Sequence, residues 1–256
     1  MSRFDCDSNR FPFDAIEPSQ LWQNLAFNLK VNPIMFYALA GSLFEKAVEE
    51  CKRISSTTHN ETERAALASI LFAMISTEAF INELGLLVSD EEDHLPVPGW
   101  EKTLSDLLDE AEKSRVSITS KYQLAKFVLS GQPFDRGSKP FQDFDLLVDV
   151  RNLLVHARPL TAIVRKNASG GFEWAEPKIM VRLQNASALE VDDFLLDAAS
   201  SSNAEALAAG LVQQISRQSV ARWACKAAAG IVEGILDAVP NDELGHFYRR
   251  DFECPF

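Results

Sequence analysis

Apolar residues recur at helical spacing along most of the chain. From Pro33 to about Ile54, the residues Phe36, Leu39, Ala40, Leu43, Phe44, Ala47 and Val48 fall at intervals that place them on one helical face, and Pro33 suits a first helical position. Pro18 opens an earlier helix in the same way, reaching about Lys30. The polar run Ser55 to His59 is a loop, and Asn60 followed by Glu63 is a start signal for the longest helix, to about Val88. Pro96, Pro98 and Gly99 break the chain. Shorter helices are predicted from about Glu101 to Lys113 and from about Ser120 to Ser130, where Gly131 stops the second. Pro140 begins a helix that runs to about His156, and Pro159 forbids its continuation.

Beyond Pro159 the pattern changes. Thr161 to Arg165 and Lys178 to Leu183 flank the turn-rich segment Asn167 to Gly171, and they read as a β-hairpin with a long loop, inserted at about 160–184. Asp192 to Ala199 reads as one short helix. Asn203 to Val239 is Ala-rich and helical, with Gly210, Gly230 and Gly234 allowing close packing or a bend and Pro240 as the stop. The expected fold class is all-α, a helical bundle with an inserted β-hairpin. An N-terminal arm occupies 1–17, and a single helical domain occupies 18–256.

Composition narrows what such a bundle does. At 256 residues and 46% apolar content the chain buries a sizeable core in one domain. No stretch near the start combines a basic region, an apolar run and a small-residue cleavage site. The most apolar segment, Ala65 to Val88, carries Glu78, Asn82 and Glu83, which are costly in lipid, so it reads as a core helix. These features predict a cytoplasmic protein with no membrane association. Cys6, Cys51, Cys225 and Cys254 are scattered singly, as are His59, His94, His156 and His246, so neither a disulfide framework, a metal site nor a cofactor is expected.

A net charge of −12 argues against a broad, sequence-blind nucleic-acid surface. The charge is uneven, however. Between Phe72 and Ser114 stand eleven acids and two bases, a solvated acidic shoulder. Between Arg151 and Arg182 the balance reverses, with Arg151, Arg158, Arg165, Lys166, Lys178 and Arg182 against Glu173 and Glu176. That stretch is either an ordinary charged hairpin or a weak RNA-binding patch, for which Arg158, Arg165 and Lys166 are the candidates.

The helix before Pro159 carries the candidate chemistry. Phe144, Leu147, Val148, Leu154 and Val155 form an apolar stripe, and Arg151 falls within it, where a charge needs a partner or a function. Asp145, Asp149, Asn152 and His156 make a polar stripe beside it. Arg151 and His156 are five residues apart, about 140° round an ideal helix. They converge on one ligand only if the last turn unwinds or if two copies of the chain each contribute.

The segment Arg151-Asn-Leu-Leu-Val-His156 resembles the R-x4-H signature of the HEPN superfamily, in its RN-x3-H version. Glu78 and Asn82, an E-x3-N pair on one face of the long helix, resemble the family as well. The likeness covers about residues 33 to 160. Arg53 and His59 also fit an R-x4–6-H pattern, but that pair runs from a helix into a Ser/Thr loop and lacks the adjacent asparagine. The resemblance implies a metal-independent endoribonuclease of toxin or antiviral-defence type, leaving 2′,3′-cyclic phosphate and 5′-hydroxyl ends. It also implies a site at the interface of a homodimer, and an antitoxin or defence-system partner.

Such cleavage needs a base for the 2′-hydroxyl proton and donors for the charge on phosphate. Histidine suits proton transfer near neutral pH, so His156 is the candidate acid/base. Arg151 supplies a permanently charged fork for phosphate oxygens, and Asn152 either orients His156 or donates to phosphate. Other readings stand beside this one. Arg151 is equally an ion-pair partner for Glu78, His156 a helix-end residue favoured by the macrodipole, and Glu78 and Asn82 polar struts. On that reading the chain is a non-catalytic HEPN-like module binding RNA, nucleotide or a protein partner, or a helical interaction protein outside the family.

Overall fold

The computed structural model describes residues 39–54, 59–87, 99–156, 163–166, 172–175, 178–189, 211–239 and 248–256, with backbone alone for the two strands. The described residues are mostly helical. Seven main helices occur among them: α1 (Leu39–Arg53), α2 (His59–Leu87), α3 (Gly99–Lys113), α4 (Ile118–Ser130), α5 (Phe141–His156), α6 (Lys178–Asn185) and α7 (Gln218–Leu236). The predicted arm over 1–17, the helix from Pro18 and the short helix over 192–199 lie outside the described residues.

Local chemistry explains the boundaries. Ser117 caps α4 by accepting from the Ser120 amide, and Gly131 ends that helix with φ 74°, a left-handed conformation suited to glycine. The Ala-rich stretch expected as one helix from 203 is interrupted. A turn at Ser216 and Arg217 separates the helical residues 211–215 from α7.

The centre of the bundle is α2, which touches α1, α3, α4, α5 and α7. Over Glu61–Leu86 it is long and apolar enough to cross a membrane by length and composition. Its apolar residues extend round the helix, as expected of an element packed on several sides. Buried hydroxyls on α2 are satisfied locally: Ser76 Oγ donates to the Ala73 carbonyl and Thr77 Oγ1 to the Met74 carbonyl, both at 2.7 Å. Aromatic rings knit the core. Tyr122 on α4 lies 4.6 Å from Phe144 on α5 and donates its hydroxyl to the Thr77 carbonyl. Phe80 meets Tyr248 edge-on at 5.0 Å, and Phe252 stacks on Phe44 at 4.8 Å, drawing residues 248–252 onto the ends of α1 and α2. Gly234 on α7 makes room for Phe134, since a Cβ there would stand 2.8 Å from the ring.

The strand pairing differs from the expected register. Strand β1 (Ile163–Lys166) pairs antiparallel with β2 (Phe172–Ala175), Arg165 opposite Glu173, and not with 177–184. The segment Lys178 to Leu183, expected as the second strand, is helix α6. Ile179, Val181 and Leu183 alternate as in a strand, but burial follows a helix, with Met180 and Leu183 fully inside and Val181 39% exposed. The helix also sets Arg182 against two acids one turn apart on α5, Asp145 at 2.8 Å and Asp149.

Candidate functional site

Helix α5 carries Arg151, Asn152 and His156, and its orientation is set by what it buries. Phe141, Phe144, Leu146, Leu147 and Val150 are inside. The buried face is therefore turned from the expected stripe, leaving Val155 half exposed and Arg151 at the border, its side chain 30% accessible. Arg151 approaches Glu78 of α2 at 4.0 Å, an ion pair beyond hydrogen-bond distance. The expected ion pair is therefore a loose one. Arg151 instead donates to its neighbour Asn152 Oδ1 at 3.1 Å.

His156 is exposed and lies in the last turn of α5, which stays helical through that residue. The unwinding that would turn His156 toward Arg151 is absent, and the two remain about 140° apart round the helix axis. Arg151, Asn152 and Glu78 are brought together; His156 is not brought to them within one chain.

Asn82 is engaged from another helix. Lys121 of α4, almost fully buried, donates to Asn82 Oδ1 at 3.0 Å and also pairs with Glu112 of α3. The two residues of the E-x3-N face thus answer separate cations, Arg151 and Lys121, on separate helices. Lys121 was not legible as a partner, because only the packing of α4 against α2 brings it there.

The electrostatics around α5 are less basic than the sequence between 151 and 182 suggests. Arg182 is engaged by Asp145 and Asp149, and Lys139 by Asp143 at 3.0 Å. Arg158 lies outside the described residues, as do the side chains of Arg165 and Lys166. An open cleft of about 480 Å³ is lined by Thr119, Arg136, Lys139, Gln142, Asp145 and Arg182, among others. It sits at the opposite end of α5 from His156, roughly 20 Å away at the rise of an α-helix. With its lysine and Arg182 already paired to acids, it is not the site that the motif marks.

A second carboxylate on α2, Glu83, is held by three hydrogen bonds. Glu83 Oε1 accepts from the amides of Leu39 and Ala40 at 2.7 and 2.9 Å, capping α1 from a neighbouring helix. Its other oxygen accepts from the Tyr248 hydroxyl at 2.9 Å. Burial pushes the Glu83 carboxyl above the ordinary glutamate range, while those three donors oppose the shift. The arrangement is structural: three protein donors hold a carboxylate that is only 7% exposed. Among the described residues no group of three His, Cys, Asp or Glu side chains is arranged to hold a metal ion. Comparison with protein-family models, with curated proteins and with solved structures returns no match.

Proposed function

We propose that this chain is a HEPN-like metal-independent endoribonuclease, with Arg151 and Asn152 holding the scissile phosphate and His156 as general acid/base. The observation that carries the reading is the partly exposed Arg151–Asn152 pair on α5. Among the described residues the carboxylate nearest its guanidinium is Glu78 at 4.0 Å, so an incoming phosphate meets a loose ion pair there. Because His156 stays helical and faces away, the working site requires a second copy that sets its His156 beside this Arg151. The proposal therefore includes a homodimer, and residues 163–175 are read as a hairpin inserted beside the bundle. A toxin or antiviral role, an antitoxin partner and a cytoplasmic setting belong to the same proposal.

A second reading has its own support. The roughly 140° between Arg151 and His156, with the acids of α5 facing Arg182 and Lys139, favours a non-catalytic module that binds RNA, nucleotide or a protein through Arg151.

The test uses purified protein, EDTA and single-stranded RNA, with products read for 2′,3′-cyclic phosphate ends and the oligomer by sedimentation. His156→Ala and Arg151→Ala each abolish cleavage on the first reading, and mixing the two variants restores part of it through one intact composite site. Arg53→Ala and His59→Ala cut normally. Cleavage that survives in His156→Ala, or that needs added Mg²⁺, rejects the mechanism. RNA binding that depends on Arg151 without any cleavage selects the second reading.

A further inference from the structure

Away from the motif, the first turns of α5, the loop before it and the end of α6 wall the open cleft. Its volume of about 480 Å³ lies within the range of small-molecule sites, roughly 300–1,000 Å³. Three cations and two carboxylates line it: Arg136 and Lys139 from the loop, Arg182 from α6, and Asp143 and Asp145 from α5. Lys139 meets Asp143 at 3.0 Å, and Arg182 meets Asp145 at 2.8 Å. The charges therefore cancel in pairs except at Arg136. Among the described residues no hydrogen bond or ion pair engages its guanidinium, which stands exposed in the cleft wall.

The turn that carries Arg136 is held at both ends. Phe134, two residues earlier, is buried, stacks on Phe141 at 5.9 Å and has the Lys126 ammonium 5.3 Å from its ring centre. Gln123 Nε2 of α4 donates to the Phe134 carbonyl at 3.2 Å. Asp135 Oδ1 accepts from the Gly137 amide at 2.8 Å, and the Ser138 carbonyl accepts from the Gln142 amide at 3.0 Å. The backbone under Arg136 is thus fixed before a ligand arrives, which lowers the ordering cost of binding.

We propose that this cleft binds a small sugar phosphate, with the phosphate on Arg136 and the sugar hydroxyls against Gln142 and Asn185. A guanidinium fork matches two phosphate oxygens at once. An ammonium has three hydrogens, so the bond of Lys139 to Asp143 leaves it donors for the same group. The start of α5 adds partial positive charge beside them. Two cations and a helix start suit a dianion better than a single carboxylate. The side-chain amides of Gln142 and Asn185 are exposed and without a partner among the described residues. Each offers a donor and an acceptor, as a hydroxyl requires. A nucleotide fits less well, because Phe141, the ring in the wall, is only 5% exposed and presents no open face for a base.

The experiment titrates the full chain calorimetrically with glucose 6-phosphate and ribose 5-phosphate, and separately with glucose, inorganic phosphate and AMP. At least one sugar phosphate is expected to bind saturably, one per chain, about tenfold or more tighter than inorganic phosphate, while glucose shows no binding. Arg136→Gln weakens that binding by about tenfold or more and keeps the wild-type thermal midpoint, since no contact in the fold rests on this side chain. Asn185→Ala weakens the sugar phosphate by about threefold to tenfold and leaves inorganic phosphate as it was. Arg151→Ala binds normally, so this site and the proposed nuclease centre stand or fall separately. No saturable binding of either sugar phosphate up to about 10 mM overturns the proposal. Inorganic phosphate or AMP bound as tightly as the sugar phosphate, or an affinity untouched by Arg136→Gln, overturns it as well.

Discussion

Glu78 and Glu83 stand five residues apart on α2 and live in opposite conditions. Glu83 is 7% exposed and accepts three hydrogen bonds between 2.7 and 2.9 Å. The Glu78 side chain is 47% exposed and meets Arg151 only at 4.0 Å. The first carboxylate is used up by the fold, since it caps α1 and anchors the 248–252 turn. The second is held loosely enough that its cation is available to something else. A charged group spent on stability is satisfied and dry, whereas one available for binding is half wet and underpaired, and the two occur here on one helix.

The largest effect should come from breaking the buried member. Glu83→Ala strands two amides and a tyrosine hydroxyl in the core, and about 3–5 kcal/mol of stability should disappear in denaturant titrations. Loss of less than about 1 kcal/mol would mean that the carboxylate is not the anchor described. Glu83→Gln keeps the shape and sharpens the point through pH. The folded-state pKa of Glu83 is raised, so the folded chain binds this proton more tightly than the unfolded chain does. This group's contribution is therefore greatest below the ordinary glutamate value and falls as pH rises through the raised one. The advantage of wild type over Glu83→Gln should shrink across that window, and a constant or growing advantage contradicts the burial argument.

Next comes the seam between α7 and the loop before α5. Gly234→Ala drives a Cβ to 2.8 Å from the Phe134 ring, and the ring must shift while Lys126 keeps its bond to the Gly234 carbonyl. A cost of about 1–3 kcal/mol is expected by thermal unfolding, relieved in part by Phe134→Leu.

What the sequence revealed divides along similar lines. Helices α3, α4 and α5 lie close to their expected limits because proline, serine and glycine punctuate them, as at Ser117 and Gly131. The α6 segment was misread because Ile179, Val181 and Leu183 alternate, although Pro177 before Lys178 is also a helix-opening signal. The burial of Met180 and Leu183 in the bundle and the contacts of Arg182 with Asp145 and Asp149 are long-range, and periodicity does not contain them. The Arg151–Glu78 approach was legible from the two motifs, at the level of which helices face each other. The roles of Glu83 and Lys121 were not, since their partners lie on other elements, 165 residues away for the Tyr248 bond.

The smallest expected effect concerns the exposed member. An arginine set in an apolar stripe and paired with a buried carboxylate would, on change to alanine, strand that carboxylate and damage the fold. The structure reverses that expectation, because Glu78 is nearly half exposed and water rehydrates it when the arginine is gone. Exposed pairs contribute about 0–1 kcal/mol, and at 4.0 Å without a hydrogen bond this one belongs at the lower end. A double-mutant cycle of Arg151→Ala and Glu78→Ala, read by denaturant unfolding, should give a coupling below about 0.5 kcal/mol. The same cycle read by RNA affinity should behave differently. Removing Glu78 frees the guanidinium and tightens binding modestly, while removing Arg151 weakens it whether or not Glu78 is present. A coupling above about 2 kcal/mol in stability would make Arg151 a structural strut like Glu83, and its availability to phosphate would lose its support.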